Sequence, residues 1–179
     1  MTEHPFLTLF KEGKIIFTEE GKILGFNEHQ IFLPVRVINR LFFILKEYLP
    51  ERFSNILKDL GKFQIDQAIK RYAKILKWSE IEKKRAFEFG FKVIIPVLGL
   101  GNFESKEEEG SFIISIDKTP FAEEMIIEYG KQKEPVDYYI CGIWEEVFKI
   151  FFKKPMICEE TKCYAKGDDH CEFVVKPKK

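Results

Sequence analysis

Near the carboxyl end of the chain, residues 158–176 have the sequence CEETKCYAKGDDHCEFVVK, in which a Gly-Asp-Asp turn separates two cysteines. We predict that residues 158–165 and 171–176 are antiparallel strands joined through this turn. In that pairing Cys163 lies opposite Cys171. Directly opposed residues have Cβ atoms roughly 4.5–5.5 Å apart, so the two sulfurs could hold one metal ion.

Three further residues are candidate ligands of the same ion. Glu160 precedes Cys163 by three positions, which would place it on the opposite face of a regular strand, so ligation requires a bend or bulge near Thr161. Asp137 and Cys141 are four residues apart on a predicted helix and therefore share a face. Zinc accepts sulfur and carboxylate ligands, usually four in a tetrahedron.

The cysteines and Asp137 also have ordinary structural explanations. A lone cysteine such as Cys141 or Cys158 is commonly a small core residue. Asp137 precedes the predicted helix and could be its N-cap. For Cys163 and Cys171, the spacing alone leaves metal binding, a disulfide and chance open.

The composition indicates one domain with a substantial core. Of the 179 residues, 45% are hydrophobic and 15% are aromatic, including 19 Phe. The net charge is zero and the basic residues are spread along the chain, which argues against a nucleic-acid-binding protein. Of the 29 basic residues 24 are Lys, and such a Lys- and Glu-rich composition resembles that of thermophilic proteins.

No signal-peptide pattern is present at the N-terminus, and no apolar run approaches the length of a membrane span. We therefore expect a cytoplasmic protein, in which clustered cysteines favour metal binding over disulfides. Phosphate loops, nucleophile elbows and dinucleotide fingerprints are absent from the sequence. This pattern favours a binding protein over an enzyme, although it leaves catalysis open.

The periodicity predicts an α+β fold in which several helices pack on antiparallel hairpins. An N-terminal meander within residues 1–30 precedes the main domain, residues 31–179. The predicted strands are 6–11, 14–18, 22–26, 102–106 and 111–117, besides the terminal hairpin. The predicted helices are 34–49, 50–77 with a break at Gly61, one after the capping box Ser79–Glu82, 121–129 and an almost wholly apolar helix at 136–152.

The signature Glu160-x-x-Cys163, seven residues and then Cys171, with Gly167-Asp168 in the turn, resembles the C-terminal motif of the 4-vinyl reductase domain family. The Gly99-Leu-Gly101-x-Phe103 turn, the stretch from Ser115 to Glu123 and Gly142 are also similar to the family. Its members are hydrocarbon-binding modules. They include the sensory domains of aromatic-responsive transcription activators, and they are distantly related to TRAPP trafficking subunits.

The resemblance implies one structural zinc. It assigns Glu160, Cys163 and Cys171 as ligands, by analogy with the zinc-binding residues of the sensor members. Those sensors have a fourth ligand, a cysteine, where this chain has Asp137. Asp137, Cys141 or water is therefore the fourth ligand, and the terminal hairpin would be a zinc-stabilised clasp.

The resemblance also implies an internal apolar pocket for a small hydrocarbon or aromatic ligand. The residues that we expect to line it are Phe87, Phe91, Tyr138, Tyr139, Trp144, Phe148 and Phe151. Two alternatives from other classes remain: an enzyme or accessory factor in tetrapyrrole vinyl reduction, and a dimeric assembly scaffold. We expect a homodimer built on the N-terminal strands and the helix at 35–49.

Overall fold

The computed structural model of the protein describes residues 5–75 and 98–178, and these have the predicted α+β architecture. The helices are α1 (Pro5–Lys11), α2 (Val35–Tyr48), α3 (Phe53–Ile75), α4 (Pro120–Tyr129) and α5 (Tyr138–Phe152). The strands are β1 (Ile15–Phe17), β2 (Ile23–Gly25), β3 (Glu28–Gln30), β4 (Phe103–Glu108), β5 (Ser111–Ile116), β6 (Met156–Lys162) and β7 (Cys171–Pro177). The helix expected after Ser79–Glu82 lies outside the described residues.

The N-terminal region is a three-stranded antiparallel meander of order β1-β2-β3, preceded by a helix. The prediction of a strand at 6–11 is wrong, because this segment forms α1. Pro5 suits the first position of a helix, and the short apolar run that follows it does not by itself distinguish a strand from a helix. The last strand is instead β3, joined to β2 through a tight turn in which Phe26 and Asn27 both have positive φ.

Helices α2 and α3 occupy the segments in which helices were predicted. The break predicted at Gly61 is absent, because α3 continues through this residue for 23 residues. Although α3 is the longest of the described helices, none of them is both long and apolar enough to cross a membrane.

The C-terminal sheet is antiparallel and has the order β4-β5-β7-β6. The predicted terminal hairpin is present as β6 and β7, but β6 ends at Lys162 rather than at 165. The chain then makes a 3-10 turn at Tyr164–Lys166, and Gly167 follows with φ of 92°. The turn shortens the strand because its backbone hydrogen bonds are made locally instead of to β7.

Helix α5 is the centre of the core. Every residue from Ile140 to Phe148 is buried, as expected for a helix with apolar residues on all sides. One side of α5 packs on α3 and the other on the sheet, mainly against β6. Trp144 contacts the ring of Phe103 in β4, and Phe148 contacts Phe112 in β5.

Two glycines allow α3 and α5 to cross with their backbones in contact. A Cβ added to Gly142 would lie 1.9 Å from the carbonyl oxygen of Lys58, and one added to Gly61 would lie 2.1 Å from that of Tyr139. Both distances are far below van der Waals contact. Each helix therefore supplies one glycine where the backbone of the other helix passes.

Replacement of Gly142 by alanine should destabilise the protein by about 3 kcal/mol, since the new methyl group forces two packed helices apart. This loss exceeds the gain of about 1 kcal/mol in helix propensity. Urea unfolding followed by circular dichroism measures the change. Gly25→Ala is the matched control, because a Cβ there meets only the flexible side chain of Gln30, at 3.2 Å. Equal stabilities of the two variants would contradict the close crossing.

Candidate metal centre

Four potential ligands converge beneath the C-terminal sheet. Asp137 immediately precedes α5, Glu160 lies in β6, Cys163 follows β6 and Cys171 is the first residue of β7. One ligand atom from each residue lies within 4.8 Å of all the others. In a tetrahedral zinc site such atoms would be roughly 3.3–3.8 Å apart, so a contraction of about 1 Å would complete the coordination.

A β-bulge brings Glu160 to the same side as the cysteines. Glu160 pairs with Phe173, whereas Lys162 pairs with Glu172, so one extra residue, Thr161, is inserted in β6. The bulge reverses the alternation of side chains beyond Glu160. Such an irregularity near Thr161 was the predicted condition for Glu160 to reach the cluster.

The turn after β6 fixes the two cysteines relative to each other. The amide of Cys163 donates to Oδ2 of Asp168 at 2.7 Å, and its carbonyl oxygen accepts from the amide of Lys166 at 2.8 Å. The amide of Tyr164 donates to Sγ of Cys171 at 3.3 Å. An amide donor to sulfur favours the thiolate, which is the form that binds metals, because it stabilises the negative charge.

Asp137 occupies the N-cap position of α5, but its side chain makes no capping hydrogen bond. The carboxylate points instead into the cluster, where Oδ2 accepts a hydrogen bond from the hydroxyl of Thr119 at 2.7 Å. The backbone amide of Asp137 donates to Oε2 of Glu160 at 2.9 Å. The N-cap explanation therefore accounts for the position of Asp137 and not for its side chain.

The donor set fits a cation because each carboxylate keeps one unused oxygen. Asp137, Cys163 and Cys171 are each at most 1% exposed, and Glu160 is half-buried with Oε1 inaccessible. Among the described residues, no hydrogen bond reaches Oδ1 of Asp137 or Oε1 of Glu160. Two buried carboxylate oxygens without hydrogen-bond donors, beside two thiols, form a ligand set that suits a thiophilic divalent cation such as zinc.

Without a cation, burial disfavours the ionised carboxylates. It raises the pKa of Asp137 well above its usual value, and the charge of nearby Glu160 adds to this effect. Burial likewise raises the pKa of Glu160, to about 8. A bound divalent cation would reverse both shifts, since opposite charge favours the ionised form.

The two thiols of the cluster interact directly. A hydrogen bond between them raises the pKa of Cys163 and lowers that of Cys171, as expected if Cys163 is the donor. Both cysteines are free in the structure.

Cys141 is separate from the four-residue cluster. It is buried on α5, and its hydrogen bond with the thiol of Cys158, followed by burial, raises its pKa. Beside this second cysteine pair, Glu145 accepts hydrogen bonds from the amide of Cys158 at 3.0 Å and from Lys58 at 2.8 Å. Lys62 lies 2.8 Å from the other oxygen of Glu145. This second polar group thus has its partners within the protein.

The predicted pocket residues fall on different sides of α5. Tyr138 packs against the rings of Phe42 and Phe53, next to α2 and α3. Tyr139 contacts Phe121 of α4. Trp144 and Phe148 are fully buried against β4 and β5, and Phe151 packs on Phe152. Phe87 and Phe91 lie outside the described residues, so their part in a pocket stays a prediction.

Thr119 was not among the site residues predicted from the sequence. Its position before Pro120 indicates the N-cap of a helix, and its hydroxyl does accept from the amide of Ala122 at 3.1 Å. The second contact, to Asp137, depends on the packing of α4 beside α5. No local pattern predicts such a contact between residues 18 positions apart.

Comparison with known families identifies the part of the chain that carries the site. Residues 113–177 match the model of the 4-vinyl reductase domain. The predicted resemblance to this family is thereby confirmed for this part of the chain. The match spans β5 to β7 and so contains all four residues of the cluster.

Relatives extend the similarity over nearly the whole chain. An uncharacterized protein of Methanocaldococcus jannaschii is 23% identical over 185 residues, which cover 96% of this chain and 90% of the relative. The fold is similar to the crystal structure of the phenol-responsive sensory domain of the transcription activator PoxR with phenol, with a TM-score of 0.75 at 17% identity, covering 97% of this chain and 88% of that domain.

A second solved structure has the same fold. It is subunit 3 of a trafficking protein particle complex from Naegleria fowleri, covalently bound to palmitic acid. The TM-score is 0.58 at 20% identity, and the alignment covers 81% of this chain and 93% of that subunit. At such identities these likenesses establish the fold alone.

The metal-free protein should lose stability as the pH rises from about 4.5 to about 8. Below this range Glu160 is protonated in both states; within it the unfolded chain ionises while the folded protein retains the proton. The part of this loss that comes from Glu160 should be on the order of 3 kcal/mol, less than the full shift implies because part of the side chain meets solvent. Urea unfolding of chelator-treated protein across this range measures it.

Glu160→Gln is the control for this pH dependence, because the amide does not titrate. The slope should decrease by the Glu160 contribution in that variant, and the slope that remains comes from Asp137, whose own burial raises its pKa. A wild-type stability that is flat between about pH 4.5 and about pH 8 would contradict the burial of an ionisable pair.

Proposed function

We propose that this protein binds and senses a small hydrophobic ligand, with aromatic compounds as the first candidates, in an apolar pocket of the 4-vinyl reductase-type domain. The observation that carries this proposal is the similarity in fold, over 97% of the chain, to a sensory domain that responds to phenol. The match of residues 113–177 to the 4-vinyl reductase domain supports it independently.

The character of the core is consistent with this function. Aromatic rings surround α5 on both sides, and stacked or edge-to-face contacts of this kind also suit the binding of an aromatic ligand. Two grooves on the described surface lie instead along α2, beside Tyr129 at the end of α4; the larger of the two measures about 660 Å³ and includes Arg36, Val37 and Ile44. We therefore propose an internal site rather than either groove.

We further propose that Asp137, Glu160, Cys163 and Cys171 bind one structural zinc. Support comes from the two unused carboxylate oxygens and from the two thiols in the same group. Four protein ligands leave no open position for a substrate, so the ion would fix the hairpin of β6 and β7 to the start of α5. Its role would be to hold the domain in shape beside the ligand.

A homodimer is the third part of the proposal. The segment between β3 and α2 exposes Ile31, Phe32 and Leu33, and α2 continues this patch with Val37 and Ile44. Exposed apolar surface of this extent commonly marks an interface. The same helix has Arg36 at one end and Glu47 at the other, so two antiparallel copies would place opposite charges together.

Ligand binding can be followed with Trp144 as the reporter. The chain has two tryptophans, so a Trp78→Phe variant leaves Trp144, fully buried against Phe103, as the only source of indole fluorescence. Titration with phenol should change its emission saturably and raise the melting temperature, because ligand binds only the folded state. Native mass spectrometry of gently purified protein should detect any ligand carried from the cell.

The control compound is glycerol at the same concentration, which is polar and lacks a ring. If phenol, larger aromatics and fatty acids all leave the emission and the melting temperature unchanged at millimolar concentration, the protein does not bind this class of ligand.

Elemental analysis should find about one zinc per chain in protein purified without chelators. Cys163→Ser and Cys171→Ser should each lose nearly all of it, because serine is a poor zinc ligand. Cys158→Ser is the matched control, since this cysteine is equally buried on β6 but lies outside the cluster. Retention of zinc by both cluster variants, or its loss in Cys158→Ser alone, would refute the assignment.

Sedimentation equilibrium should give a mass of about twice the 21.2 kDa of the chain at micromolar concentration. Val37→Asp combined with Ile44→Asp should return the monomer, because two buried charges would face each other at the interface. Phe63→Asp is the control: Phe63 is also well exposed but lies on α3, outside the patch. A wild-type monomer would exclude the dimer.

A further inference from the structure

The hydroxyl of Thr119 has more contacts with the candidate metal centre than its capping role requires. Thr119 is fully buried between β5 and α4. Its Oγ1 accepts from the amide of Ala122 at 3.1 Å, donates to Oδ2 of Asp137 at 2.7 Å and lies 3.9 Å from Sγ of Cys171, which donates to it. A hydroxyl has one proton and two lone pairs, so in the metal-free protein these three contacts use its full capacity.

The direction of these hydrogen bonds decides which oxygen of Asp137 is available. The amide of Ala122 can only donate, and Oδ2 of Asp137, at 2.7 Å, is much closer to the hydroxyl than the Cys171 sulfur at 3.9 Å, so the single hydroxyl proton goes to Asp137. The same direction holds when Cys171 is a metal-bound thiolate and has no proton to donate. That proton holds Oδ2, and Oδ1 stays without a partner among the described residues. The carboxylate is thus fixed in the orientation that leaves Oδ1 unpaired within the cluster.

We propose that Thr119 is a positioning residue of the metal centre, which selects Oδ1 of Asp137 as the ligand atom. This inference rests on the zinc site proposed above. A carboxylate ligand can rotate or bind through both oxygens, whereas a thiolate has one donor atom. An aspartate ligand therefore needs an outer hydrogen bond that selects one of its two oxygens, whereas a cysteine ligand has no such choice to make.

The same hydroxyl connects the metal centre to α4. The capping bond to Ala122 and the bond to Asp137 share one atom, so a displacement of either element changes both. Helix α4 is in turn fixed to α2 by the buried side-chain amide of Asn39, which donates to the carbonyl oxygen of Phe121 at 3.1 Å. Thr119 is accordingly the point at which the metal ligands meet the helical layer.

Cobalt(II) is the probe for this role, because its visible absorption reports ligand geometry and it substitutes for zinc in tetrahedral sites. Thr119→Val, which removes the hydroxyl at nearly constant volume, should weaken cobalt and zinc binding by about 10- to 100-fold and shift the cobalt absorption bands. Thr119→Ser, which keeps the hydroxyl, should bind within about threefold of wild type.

Two further variants separate positioning from stability. Met125→Ala loosens α4 at a buried position without touching the hydroxyl, so it should lower stability and leave metal affinity and spectrum unchanged. In an Asp137→Cys background, Thr119→Val should cost less than about threefold, because a thiolate needs no orientation by the hydroxyl. This second comparison also serves if Thr119→Val alone does not fold.

The outcomes distinguish the two proposals. If wild type binds neither zinc nor cobalt, the metal centre itself is refuted, and the role of Thr119 with it. If wild type binds metal and Thr119→Val binds equally well with the same spectrum, only the positioning role is refuted. It is also refuted if Met125→Ala weakens binding as much as Thr119→Val does, or if the penalty persists undiminished in the Asp137→Cys background.

Discussion

The backbone contact between α3 and α5 fixes the rest of the structure. With Gly61 and Gly142 at the crossing, α5 lies close enough to α3 to be covered completely on that side. Its other side is covered by the sheet, so nine successive residues of α5 are buried. The polar groups of these nine residues must then find partners inside the protein, because little water reaches them. The surroundings of the acidic side chains in and next to α5 follow from this burial.

Two acidic residues, one on α5 and one at its N-cap, meet this requirement in different ways. Burial opposes the ionisation of Glu145, but hydrogen bonds from Lys58 and Lys62 outweigh it, and the pKa of Glu145 lies below its usual value. Asp137 has no cation beside it among the described residues, only another carboxylate, a hydroxyl and thiols. Burial is thus compensated at Glu145 by two lysines of α3, whereas at the start of α5 it leaves a carboxylate oxygen of Asp137 without a hydrogen-bond donor.

The elements that have local sequence signals were predicted correctly, and the predictions failed where tertiary contacts determine the structure. The apolar length of α5 and the turn of the terminal hairpin are local patterns, and both were confirmed. Gly61 was predicted to interrupt α3, since glycine disfavours helices. The structure shows why it does not: the packing energy of the crossing outweighs about 1 kcal/mol of propensity. The bulge at Thr161 could be predicted only as a condition for Glu160 to reach the cysteines. A single extra residue produces no recognisable sequence pattern within one strand.

Composition and spacing could not decide between Asp137 and Cys141 as the fourth ligand. Asp137 and Cys141 share a face of α5, so periodicity treats them alike. What separates them is their distance along the contact with β6: Asp137 meets Glu160, while Cys141, one turn later, meets Cys158. Four residues of helix rise about 6 Å, nearly the length of two residues in a strand. One turn of α5 therefore matches two residues of β6, and the two cysteine pairs remain separate. Cys141 and Cys158 lie beside an acidic group whose partners are within the protein. Cys163 and Cys171 lie beside the two unpaired carboxylate oxygens.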